Sequence, residues 1–195
     1  MKTVEPIRDK EKIELMCNIL LKYGSDRNYM LFFFGINTGL RISDMLKTKK
    51  EHIFKRPHKK GQYVFREFFE LREKKTRKLK KFRLNAPLKR KLLWYCGKYE
   101  MVHGDYLFWS QKRKSRFPIS RVQAYRILKE AAITCKIDGF GTQSMRKTCG
   151  YFAYQKSKDL VAVMNMLNHT NPDVTLRYIG VRQDKIDSLY SDLGF

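Results

Sequence analysis

Apolar residues recur at helical spacing along most of this chain. Ile13, Met16, Leu20 and Tyr23 predict an amphipathic helix over Asp9 to Tyr23, stopped by Gly24. Ser25 can cap a second helix through Tyr29 to Ile36, a segment apolar nearly all round that therefore belongs in the core. Thr38 and Gly39 end it, and Ser43 is placed to cap a short helix that leaves Arg41 just outside. The pattern then changes. Gln62 to Glu70 is aromatic and β-branched enough for a strand. Arg72 to Leu84 reads as the end of one strand, a basic turn, and a second strand, Lys81 to Leu84. Helical spacing returns over Pro87 to Tyr99, with Leu88, Leu92, Leu93 and Tyr95 apolar. Tyr106 to Trp109 is a short buried segment and Gln111 to Arg116 a basic loop. Ser120 caps a helix over Val122 to Cys135 whose apolar face is Val122, Tyr125, Ile127, Leu128 and Ala131. Thr142 caps Ser144 to Gln155, and Asp159 starts Leu160 to Leu167. Asn171 starts the next helix with Pro172 in its first turn, and Gln183 to Leu193 is a C-terminal helix. No internal repeat, low-complexity run or clear linker divides the chain.

Composition narrows the partners. The 195 residues suggest one domain, and 43% hydrophobic content is enough for a core. Lysine and arginine number 42 against 19 acidic residues, a formal charge of +23 that calls for a polyanion. Nucleic acid comes first and an anionic membrane surface second. The longest apolar run, Tyr29 to Ile36, is too short to span a bilayer, and the N-terminus lacks the apolar core of a secretory signal. Cys17, Cys96, Cys135 and Cys149 form no C-x-x-C pair and read as reduced packing thiols of a cytosolic protein.

The candidate chemistry lies in Leu167-Asn-His-Thr-Asn-Pro-Asp-Val-Thr-Leu-Arg-Tyr178. His169 sits at a helix–helix corner and Tyr178 about two turns into the following helix, so the corner can turn both toward one point. Passing a phosphodiester to a side-chain oxygen needs a nucleophile, positive charge on the phosphate oxygens, an acid for the leaving sugar oxygen, and donors for developing charge. Tyrosine attacks well only as a stabilised phenolate, arginine pairs phosphate bidentately, and lysine or histidine suits the acid.

"LNHTNPDVTLRYIG" resembles the signature of the phage-integrase, or tyrosine recombinase, family. "NTGLRISDML" resembles its first arginine box and maps to Arg41; "GTQSMRKTCGYFAY" resembles its H-x-x-R box and maps to Arg146. "REKKTRKLKKFRLN" resembles its β-hairpin, with the proton-donating lysine at Lys75 and Lys74 and Lys78 as rivals. The resemblance runs from about Asn37 to about Gly180, and its strength is the order and spacing of the boxes. It implies a mainly α fold with a small antiparallel β-sheet at one edge (α+β), over a single domain spanning 1–195 without the family's N-terminal core-binding domain. It also implies a site-specific DNA recombinase or integrase, bacterial or phage-encoded and acting in the cytoplasm. Tyr178 then forms a 3′-phosphotyrosyl link, Arg41 and Arg146 hold the phosphate, Lys75 donates the proton and His169 supports the charge. No metal, cofactor or small-molecule substrate is implied. The partner is double-stranded DNA, contacted by Lys74, Arg77, Lys78, Lys80 and Lys81, with self-association as a tetramer through the C-terminal helix.

Two departures qualify the match. Gln143 stands where the family has histidine, and glutamine hydrogen-bonds phosphate without acting as acid or base. Asn168 replaces the usual glycine, and asparagine tolerates left-handed φ. Gln143 leaves a second reading open, a catalytically inactive DNA-binding regulator on a recombinase fold; a general basic nucleic-acid-binding protein is a third.

Overall fold

Helix α2, Asp26–Thr38, is the element around which the others pack. The Ser25 hydroxyl caps it by accepting from the Asn28 N–H, and Gly39 closes it in the left-handed region at φ +60°. Tyr29, Met30, Leu31, Phe32 and Phe34 are buried along it, as the apolar run predicts. Helices α1 (Lys10–Ile19), α4 (Ala86–Lys98), α5 (Arg121–Thr134) and α6 (Ser144–Ser157) surround it. The computed structural model describes residues 4–56, 62–110 and 117–193, and the side chains within them except 182–185 and 189. The basic loop expected at Gln111 to Arg116 lies outside the described residues.

The expected first helix divides in two. It is α-helical to Ile19, and Leu20–Gly24 is a π-helical turn closed by the Ser25 N–H on the Leu20 carbonyl. Of the long strand expected over Gln62 to Glu70 only Phe69 and Glu70 are in a strand; before them lies an isolated Phe54–Phe65 bridge. The sheet is an antiparallel pair, β1 (Phe69–Arg72) and β2 (Leu79–Phe82), in register Phe69 with Phe82 and Leu71 with Lys80. The second strand therefore starts before Lys81. The turn sets this register: the Glu73 N–H donates to the Lys78 carbonyl, and Arg77 takes φ +58°. Phe69, Leu71, Lys80 and Phe82 consequently face inward while Leu79 and Lys81 face solvent.

Three further expectations shift. In α5 the buried face is Ala124, Leu128, Ala131 and Ala132, and Val122 and Tyr125 are exposed. Ser43 lies inside α3, Ile42–Met45, and Arg41 itself is the N-cap residue. Gln143, not Thr142, is the N-cap residue of α6, yet its side chain makes no capping bond.

A smaller apolar cluster carries the C-terminal part: Tyr154, Val163, Leu167, Ile179 and Val181. It joins α6 to α7 (Leu160–Met166), α8 (Pro172–Ile179) and α9 (Val181–Asp192). The loop between α7 and α8 thus hangs between the two cores, facing the hairpin.

Candidate active site

Arg146 is the buried anchor. It is only 1% exposed, and a charge so deep needs partners. Nη1 donates to the Gly39 carbonyl at 2.6 Å, and Nη2 donates to the Leu167 carbonyl. The guanidinium so ties the turn after α2 to the end of α7. Gly39 serves this turn twice. Its positive φ suits glycine, and a Cβ would come within 3.2 Å of Cys149 Sγ. The same turn places Arg41 at the start of α3, with its side chain half-buried beside Arg146.

The corner after Leu167 places the next two groups. Asn168 takes φ +50°, the left-handed conformation expected of asparagine there. The His169 N–H donates to the Met164 carbonyl at 2.9 Å, and Nδ1 lies 3.2 Å from Thr175 Oγ1. Asn171 caps α8 by accepting from the Val174 N–H at 3.1 Å. The His169 and Tyr178 rings then meet edge to face, centroids 4.9 Å apart at 88°. Burial and the nearby Arg146 and Arg41 push His169 down to about 4. Burial raises the Tyr178 phenol above its ordinary value, while Arg146 and Arg41 pull the other way.

Gln143 completes the contact. Its Oε1 accepts from the Tyr178 hydroxyl at 2.9 Å, which is why it caps nothing. Lys147, one turn along, holds its ammonium 5.1 Å from the Tyr178 ring centroid. Arg41, Gln143, Arg146, His169 and Tyr178, drawn from four separate segments, therefore converge. Lys75 does not join them: it is exposed in the turn of the hairpin.

The hairpin holds two surprises. Lys80, expected on DNA, is turned inward and only 5% exposed, and its ammonium donates to the Met166 carbonyl. The strand's alternation buries Lys80 where the end of α7 offers an acceptor, so without DNA its ammonium is not on the surface. Burial, reinforced by Arg146, lowers Lys80 to about 8. Lys74, Arg77, Lys78 and Lys81 are exposed, with Lys81 paired to Glu70 at 3.0 Å.

The second surprise is Glu73, a residue that sequence reasoning passed over. It is wholly buried. Oε1 lies 2.7 Å from Arg41 Nη1 and 3.7 Å from Arg146 Nη1. Oε2 accepts from Thr76 Oγ1 at 2.6 Å and from Asn168 Nδ2 at 3.0 Å. Burial alone would raise this acid, but its bonds to Thr76 and Asn168 and the charge of Arg41 outweigh that and hold it at about 2. The signal was a lone carboxylate inside a run of cations from Arg72 to Lys81, with Thr76 three residues on.

The mainly helical fold with its small antiparallel hairpin is that of tyrosine recombinase catalytic domains. Residues 7–185 match the phage integrase family, and the chain belongs to it. A probable integrase/recombinase, YoeC of Bacillus subtilis (strain 168), is 39% identical over 194 residues, covering 100% of this chain and 99% of its own. The fold is similar to that of the XerH site-specific recombinase bound to a palindromic difH substrate, with a TM-score of 0.70, 19% identity and 97% of this chain covered. It is also similar to a lambda integrase dimer bound to a COC′ core site, with a TM-score of 0.68, 14% identity and 92% covered. The chain spans about half of those two solved chains, 53% and 48%. Family, relative and fold together support a recombinase function. Among the described residues no helix is long and apolar enough to cross a membrane.

Proposed function

We propose that the protein is a site-specific recombinase that cleaves and rejoins double-stranded DNA through a 3′-phosphotyrosyl intermediate. The observation that carries this reading is the Tyr178 hydroxyl, fixed by Gln143 and flanked by His169 in the field of Arg41 and Arg146. Tyr178 Oη bonds to phosphorus, the bond from phosphorus to the 5′-oxygen breaks, and that oxygen takes a proton from Lys75. Arg41 and Arg146 neutralise the non-bridging oxygens, where charge develops. His169, neutral at pH 7, supports the pentavalent phosphorus by hydrogen bonding. The phosphotyrosyl ester keeps the bond energy, so religation needs no external energy source. Lys74, Arg77, Lys78 and Lys81 hold the DNA backbone in this reading, and a DNA substrate puts the protein in the bacterial cytoplasm.

Assembly on DNA as a tetramer belongs to the same proposal. Helix α9 exposes Ile186, Tyr190 and Leu193, apolar side chains that a neighbouring protomer can cover. Light scattering of the DNA complex, with and without residues 181–195, tests it: loss of the helix should leave lower-order complexes.

The chemistry is tested with nicked suicide duplexes recovered from a randomised pool by covalent capture on the wild-type protein, followed by denaturing electrophoresis. A tyrosine-linked adduct is the expected result. DNA binding with no adduct from any duplex supports the second reading, a regulator without cleavage, which Gln143 in place of a proton-transferring residue favours.

A further inference from the structure

Glu73 is the group that the proposed chemistry leaves unused, and its surroundings are unlike those of an ordinary ion pair. Its four partners come from four segments: Arg41 at the start of α3, Arg146 in α6, Asn168 in the corner before His169, and Thr76 in its own hairpin. Two of the partners adjoin other groups of the mechanism, since Thr76 follows Lys75 and Asn168 precedes His169. The backbone of Glu73 also closes the turn that carries Lys75. Its N–H donates to Lys78 and its carbonyl accepts from the Arg77 N–H, each at 3.0 Å. Asp44 pins the same turn from below, its Oδ1 accepting from the Lys74 N–H at 2.9 Å.

We propose that Glu73 is a positioning residue that docks the hairpin turn bearing Lys75 onto the two arginines of the site. A carboxylate with no exposure is tolerated only when its charge is matched. Oε2 is bonded by Thr76 and Asn168, and Oε1 has the arginines as charge partners without a hydrogen bond. Here Arg41 and Arg146 match the charge, and the hairpin is drawn to the phosphate-holding groups as a consequence. The carboxylate in turn lies between two guanidiniums that repel each other before any phosphate arrives. In this assignment the carboxylate stays beneath the arginines, closed to solvent, when a phosphate binds them. A competing assignment treats Glu73 as an occupant of the phosphate's own place that must leave when DNA binds. The two assignments predict opposite signs.

The inference rests on Lys75 as the proton donor, and the test separates the two. Two captured suicide duplexes are made, identical except that one carries sulfur in place of the bridging 5′-oxygen. In the sulfur duplex Tyr178 Oη still bonds to phosphorus, but the bond to sulfur breaks and the electron pair leaves as a thiolate that needs no proton. Cleavage of both is timed for wild type, Lys75→Ala, Glu73→Gln and Glu73→Asp. Lys75→Ala should be slowed on oxygen and recover on sulfur, by on the order of 100-fold, the lower end for general acid catalysis. Glu73→Gln, which keeps the shape and removes the charge, should raise the sulfur-to-oxygen rate ratio by about tenfold, part of that general-acid contribution. Glu73→Asp keeps the charge and should fall between it and wild type. Each ratio comes from one preparation, so an unfolded fraction cancels.

A wild-type ratio in Glu73→Gln, with Lys75→Ala rescued by sulfur, would leave Lys75 as the donor and reduce Glu73 to a structural ion pair. Faster cleavage of both duplexes by Glu73→Gln would overturn the proposal in favour of the competing occupant. A Lys75→Ala protein that gains nothing from sulfur would remove Lys75 as the donor and take the docking role with it.

Discussion

The Tyr178 hydroxyl donates to Gln143 Oε1 at 2.9 Å, so the proposed nucleophile is held by an oxygen that cannot take its proton. This bond favours the phenol over the phenolate, and burial does the same. In the proposed mechanism Gln143 therefore aims the attacking atom and leaves its ionisation to the arginines. A bond between neutral groups is worth about 0.5–1.5 kcal/mol. Gln143→Ala should accordingly slow single-turnover cleavage by roughly two- to tenfold. Gln143→His, which adds a basic nitrogen, should speed it when chemistry limits the rate. Cleavage by the alanine variant at the wild-type rate would mean that α8 alone positions the hydroxyl. If wild type is inert and histidine creates cleavage, the natural chain is the regulator and not the enzyme.

Tyr178→Phe keeps the ring against His169 and removes only the oxygen. It should abolish the covalent adduct and leave the dissociation constant for the same duplex nearly unchanged, as read by mobility shift. A persistent adduct in this variant would assign the attack to another side chain.

His169 gives the protein a pH signature. Its native value is lowered to about 4 from 6.5, so the unfolded chain binds the extra proton first. Stability should be constant above about pH 6.5, fall as the pH drops toward 4, and stop falling on this account below that. His52 is lowered by burial as well and contributes the same sign. Urea midpoints from pH 7.5 to 5 should therefore decline more steeply for wild type than for His169→Gln, with part of the slope remaining. Parallel curves would show that His169 titrates alike folded and unfolded.

How legible the site was from sequence depends on the element. The apolar run of α2, the Ser25 and Asn171 caps and the left-handed Asn168 are local effects, and local chemistry predicted them. Arg41, Arg146, His169 and Tyr178 were found from box order, and the fold brings them together through contacts far apart in sequence. The hairpin was harder. The expected strand began at Lys81, so Lys80 was read as part of the turn and the period-two alternation that turns it inward beside Phe82 was not applied to it. Glu73 stood out only as the one carboxylate in a run of cations; its partners were hidden, because only the tertiary fold carries Asn168 and the two arginines to it.

The inward turn of Lys80 makes the hairpin's role in DNA binding separable residue by residue. Lys74, Lys78 and Lys81 are exposed, whereas Lys80 spends its ammonium on the Met166 carbonyl. Each lysine that neutralises a phosphate releases counterions, and the log–log dependence of affinity on salt steepens by about 0.9 for each contact in duplex DNA. Replacing Lys74, Lys78 and Lys81 together with alanine should flatten that slope by up to about three such units. Lys80→Met should leave the slope unchanged, because a buried ammonium displaces no ion from the backbone. Mobility shifts of one captured duplex from 50 to 200 mM salt, roughly the range over which such contacts are resolved, compare the variants. An unchanged slope in the triple variant would put the hairpin away from DNA and return the charge of +23 to other surfaces. A slope flattened by Lys80→Met would mean that the ammonium leaves Met166 when DNA binds, and the hairpin would then have to open to release it.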